Sequence, residues 1–63
     1  MRLIQLTGMR GEVVINPEHV EAIGQEREGL VWVCFVSKTA IVVEGELADI
    51  ADRIGRVTMG REL

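Results

Sequence analysis

The sequence predicts an α+β domain, a curled antiparallel sheet of about five strands, small and barrel-like, followed by one C-terminal amphipathic helix. Three observations predict it. From Leu30 to Val43 the chain is almost wholly apolar, with Lys38 its only charge. Most of that stretch is β-branched or aromatic, which favours extended backbone. Shorter β-branched runs, bounded by glycine and other turn formers, precede it. After Gly45 the apolar period lengthens from strand spacing to helix spacing.

The elements follow in order. Residues 2 to 7 alternate, Leu3, Gln5 and Thr7 one way and Arg2, Ile4 and Leu6 the other, and read as a strand. Gly8-Met9-Arg10-Gly11 is a hairpin turn, since tight loops favour glycine. Glu12 to Ile15 is the second, antiparallel strand. In Asn16-Pro17-Glu18-His19, asparagine is a strong N-cap and proline suits the first helical position. Asn16 therefore caps a single turn running from Pro17 to Val20 or Glu21. Ala22 to Arg27 is the third strand, anchored by Ile23, and Glu28-Gly29 is its hairpin tip. Leu30 to Val36 is the fourth strand and Ala40 to Glu44 the fifth, joined by Ser37-Lys38-Thr39.

Beyond Gly45, Leu47, Ile50, Ile54 and Val57, with Ala51, form one apolar helical stripe. Asp49 with Arg53, and Asp52 with Arg56, stand four apart in the order that supports a helix. One domain spans residues 1–58, and the tail 59–63 is expected to fray.

The fourth strand does not alternate. Trp32, Cys34 and Val36 face one side, and Val31, Val33 and Phe35 the other. Both sides need cover, and one helix covers one. Either the sheet curls into a barrel or a second copy supplies the rest. A 63-residue chain is small enough to need such help. One cysteine and one histidine leave no internal disulfide and no four-ligand zinc cage. The expected interface is Val31, Trp32, Val33, Phe35, Ile41 and Val43. A dimer is favoured because two-fold closure is commonest.

Met1 to Leu6 is too short and too soon interrupted for a signal peptide. No run approaches the roughly 20 apolar residues of a bilayer span. The lone thiol fits a reducing compartment. A cytoplasmic protein without membrane insertion is therefore expected. The formal net charge of −3, with scattered acids, argues against non-specific nucleic-acid binding. The exception is a possible contact patch of Arg53, Arg56 and Arg61 near the C-terminus.

Candidate chemistry is sparse. Cys34 and His19 could form a dyad only across space. Cys34 lies between Val33 and Phe35, where a free cysteine behaves as a small hydrophobe. His19 reads as a half-exposed side chain on a short turn. Acid pairs such as Glu26/Glu28 and Glu44/Glu46 read as solvated surface. No phosphate-binding glycine motif occurs. No catalytic residue, metal site or cofactor is expected, and the chain is read as non-enzymatic. Trp32 is the natural anchor for a protein partner if its face is exposed.

The order Leu6-Thr7-Gly8, Ile15-Asn16-Pro17, Val20 with Ile23, a hairpin, then Val42-Val43-Glu44 leading into a short helix resembles the small flagellar proteins of the FlbD type. The likeness runs over residues 3 to 54. It departs at Ser37-Lys38-Thr39, where that family usually has an Asn-Gly turn, and at Gly45, where it usually has serine. The Val31 to Val36 run is also more apolar than is usual there. The resemblance implies a cytoplasmic accessory protein that works through a protein partner, and supplies no catalytic residues. Small phage and mobile-element proteins share the plan, so an inhibitor or regulator of a host protein is the alternative. A small nucleic-acid-binding regulator is another.

Overall fold

The computed structural model describes residues 2–55 and the main chain of 58–59. The order is β1 (Ile4–Gly8), β2 (Gly11–Ile15), a 3-10 turn (Pro17–His19), β3 (Val20–Arg27), β4 (Leu30–Phe35), β5 (Ala40–Glu44), α1 (Leu47–Ile54) and β6 (Thr58–Met59). The strands make one sheet in the order β2-β1-β5-β4-β3-β6. β1 to β5 pair antiparallel, and β6 joins β3 in parallel at Ala22 and Ile23. The expected α+β class holds, and the sheet is open rather than closed into a barrel. β1 meets β5 through one residue pair, Gly8 with Val43. The β1–β2 hairpin is thereby set apart from the β5-β4-β3 meander.

Opposed residues of an antiparallel pair share a face. The register therefore sorts the side chains. Leu6 with Val13, Ile4 with Ile15, Ile23 with Val33, and Val31 with Val43 all lie on the inner face. There they meet Ile50 and Ile54 of α1 in one core, which Leu47, Phe35 and Ile41 flank. Ile23, Val31, Val33 and Val43 are completely buried. Each such side chain contributes about 1.5–3 kcal/mol by leaving water.

Val20 and Ile23 both enter this core, though they stand three apart. A β-bulge at Glu21, between the Val20–Phe35 and Ala22–Cys34 pairs, makes that possible. The bulge also corrects the sequence assignment: Val20 and Glu21 belong to β3, not to the helical turn. Asn16 caps that turn as expected, its Oδ1 accepting from the Glu18 N–H at 3.0 Å.

Other boundaries move as well: β1 begins at Ile4 and takes in Gly8, and β2 takes in Gly11. Val36 leaves β4 and joins the turn, where its N–H donates to the His19 carbonyl at 2.8 Å. The helix stops at Ile54, because Gly55 (φ +95°) takes a backbone conformation that L side chains rarely adopt. Val57, and the Asp52–Arg56 pair, lie outside the described residues. Met59, expected in the frayed tail, pairs its main chain with Ile23. Residues 60–63 are outside the description.

Two arginines fasten the helix to β1 and the segment before it. Arg2 Nη2 donates to the Ile54 carbonyl at 2.7 Å, at the helix end where a cation suits the dipole. Arg53 Nη2 donates to the Gln5 carbonyl at 2.7 Å. Arg53 is thus engaged across the fold rather than with Asp49. The ion pair found among the described residues is Lys38 with Glu21, at 3.2 Å and exposed. Exposed pairs of that kind are worth about 0–1 kcal/mol.

Candidate interaction surface

The outer face of the meander is built around Trp32. Its register neighbours are Gly24 on β3 and Val42 on β5. The next row is Ala22, Cys34 and Ala40, and the row at the other end is Arg27, Leu30 and Glu44. Between the charged end row and Lys38, the side chains around Trp32 are apolar and small. Trp32, Cys34, Val42 and Ala22 are each half-buried, and Ala40 is exposed.

Gly24 explains how Trp32 lies. A Cβ added there would sit 2.2 Å from Trp32 Cζ2 and 2.5 Å from Cε2. The indole therefore lies flat against the β3 main chain, and only glycine leaves room for it. The result is a broad aromatic surface with little side-chain freedom to lose on contact, the kind of group that anchors protein interfaces.

The sequence-predicted interface divides on this geometry. Val31, Val33 and Val43 are fully buried within one chain, and Phe35 and Ile41 pack against the same core. All five belong to the inner face; Val31, Val33 and Val43 offer no surface to a partner, while Phe35 and Ile41 stay half-buried at its margin. Trp32 alone of the six lies on the outer face. The alternation rule had already separated it from the others. What it could not show was that the β1–β2 hairpin and α1 together shelter the inner face. Val42, Ala22 and Gly24 were missed, because their importance comes from sitting beside Trp32 across the ladder.

A second feature lies at the free edge of β2. An open groove of about 550 Å³ separates Val14 and Asn16 from Phe35, Val36, Ser37 and Thr39, with His19 also on its wall. Val14 and Val36 are 61% and 58% exposed, high for apolar side chains.

The residues considered for chemistry are dispersed. His19 is exposed and lines the groove. Cys34 is on the outer face, its thiol 3.7 Å from the Phe35 carbonyl oxygen. No hydrogen bond joins the two. Among the described residues, no cluster of three or more His, Cys, Asp or Glu side chains could hold a metal ion. Arg53, one of the three arginines of the expected nucleic-acid patch, is exposed and donates from Nη2 to the Gln5 carbonyl. Arg56 and Arg61 lie outside the described residues. No helix among the described residues is long and apolar enough to cross a membrane. No protein-family model, curated protein or solved structure matches the chain.

Proposed function

We propose that this chain is a non-enzymatic interaction module that works as a homo-oligomer and presents the outer face around Trp32 to a protein partner. The observation that carries the reading is the flat, half-buried indole on a platform of Gly24, Ala22, Cys34 and Val42. A continuous, half-buried apolar face of this kind supports a contact-site reading. Trp32 has the size and rigidity of a hot-spot residue, and truncation of such a residue costs about 2 kcal/mol or more of binding.

The likeness of Leu6-Thr7-Gly8 and Ile15-Asn16-Pro17 to the FlbD-type proteins makes flagellar assembly the first cellular context to examine. Deletion of the gene from a flagellated host should impair swimming. Replacement by Trp32→Ala should impair it equally, while the purified variant keeps its far-ultraviolet circular dichroism. Normal swimming of the deletion strain removes the flagellar role. A swimming defect on deletion that Trp32→Ala fully rescues removes the outer face as the contact surface.

A further inference from the structure

On the reading that the chain is a homo-oligomer, we propose that two copies join through the free edge of β2, antiparallel about a two-fold axis at Val13. The main chain carries the argument. Gly8 and Gly11 close the β1–β2 hairpin as a bonded pair around Met9 and Arg10. Bonded and non-bonded pairs alternate along an antiparallel ladder. Thr7–Glu12 and Gln5–Val14 are therefore non-bonded pairs, and the N–H and C=O groups of Glu12 and Val14 point away from β1. No described residue accepts from or donates to them.

The two edges of the sheet are treated differently. β3 is interrupted by two bulges, at Glu21 and Glu26, and part of its edge is covered by β6. Bulges and covering elements are how natural sheets refuse further strands. β2 has neither, and it carries no lysine or proline. Its register with β1 is unbroken. Its one charge, Glu12, is held on the outer face by Gln5 Nε2 at 2.8 Å, with the Thr7 hydroxyl at 3.5 Å.

The flanking charges select a second copy as the occupant. Arg10 precedes β2 and Glu18 follows it. Both are exposed, and neither has an ion-pair partner among the described residues. An antiparallel copy reverses the order, so each Arg10 comes to the Glu18 end of the other chain. In the register that sets Glu12 opposite the second copy's Val14, Arg10 lies opposite the second copy's Asn16, two residues from its Glu18. Each Glu12–Val14 pair then exchanges two N–H···O bonds, and Val14 is covered where it now borders the open groove.

The test is the native mass of the full chain by light scattering across a concentration series. Val14→Pro removes an outward N–H and leaves the bonded pairs with β1 intact. It should weaken association by about tenfold or more. Arg10→Glu should weaken it as well, by setting carboxylates together, and the double variant Arg10→Glu with Glu18→Arg should restore it. The charge variants decide the matter if Val14→Pro fails to fold. An oligomer whose affinity is unmoved by Arg10→Glu, or by a folded Val14→Pro, overturns the β2 seam and leaves the homo-oligomer reading standing. A wild-type chain that stays at 7.0 kDa at every concentration overturns both.

Discussion

Gly24→Ala tests the outer face most sharply. The new methyl carbon would stand 2.2 Å from Trp32 Cζ2, 2.5 Å from Cε2 and 2.8 Å from Nε1. Carbon atoms pack at about 3.5–4.0 Å, so the indole must retreat by more than about 1 Å. Two routes exist. β3 and β4 could separate, losing ladder bonds, or the ring could lift off the sheet into solvent. The second is cheaper, and it caps the cost at what the indole gains by lying down. A tryptophan can bury up to about 250 Å². Half of that, at about 25 cal/mol per Å², is about 3 kcal/mol. Removing a glycine returns about 0.4–1 kcal/mol through the unfolded chain, so the net loss is at most about 2–2.6 kcal/mol. A chain of this length has a total stability of about 3–9 kcal/mol, and the change is measurable. Urea unfolding followed by circular dichroism gives the stability. Trp32, the sole tryptophan, reports its own environment by fluorescence. The variant should unfold earlier and emit further to the red. In a Trp32→Ala background the same substitution should be neutral or stabilising by up to about 1 kcal/mol. A cost that persists without the indole, or a neutral Gly24→Ala with unshifted emission, would refute the stacking argument.

Three further outcomes are expected. Val33→Asp should unfold the chain rather than merely dissociate it, because Val33 is fully buried and an unpaired charge there costs several kcal/mol; a folded Val33→Asp monomer in circular dichroism would contradict the core assignment. Asn16→Ala should cost about 0.5–2 kcal/mol by urea titration, since the Glu18 N–H loses its acceptor, and an unchanged midpoint would show that the cap is idle. Lys38 has φ +75°, so Lys38→Val should cost about 1–2 kcal/mol by placing a β-branched residue in the left-handed region, and no loss would show that the turn relaxes freely.

Much of the fold was legible because its signals are local. The Asn16-Pro17 cap, the Gly8–Gly11 turn and the change of period after Gly45 each depend on residues close in sequence. The fifth strand, Ala40–Glu44, is found where its apolar run predicts it. The failures are failures of locality. Val20 and Ile23 are spaced as on a helix, and only pairing with Phe35 and Cys34 reveals the bulge that places both in the core. The helix ends at Ile54, a boundary set by the backbone at Gly55 that periodicity does not register. The missing Asn-Gly turn was no obstacle, since Lys38 itself adopts the positive φ and its N–H donates to the Phe35 carbonyl at 2.8 Å. The expected interface divides for a related reason. Val31, Val33 and Val43 are covered by the chain's own hairpin and helix, and Phe35 and Ile41 pack half-buried beside them. The partners that make Trp32 a surface, Gly24 and Val42, are bland residues whose role exists only across the ladder.

The inner-face core is built within a single chain, and the proposed contacts lie on the indole face and at the β2 edge. Sedimentation equilibrium of the wild-type chain over a wide concentration range addresses this arrangement most directly. The account predicts a mass rising from 7.0 kDa towards twice that value, with circular dichroism constant throughout. An ideal 7.0 kDa species at all concentrations, or a folded state that exists only when associated, would contradict it.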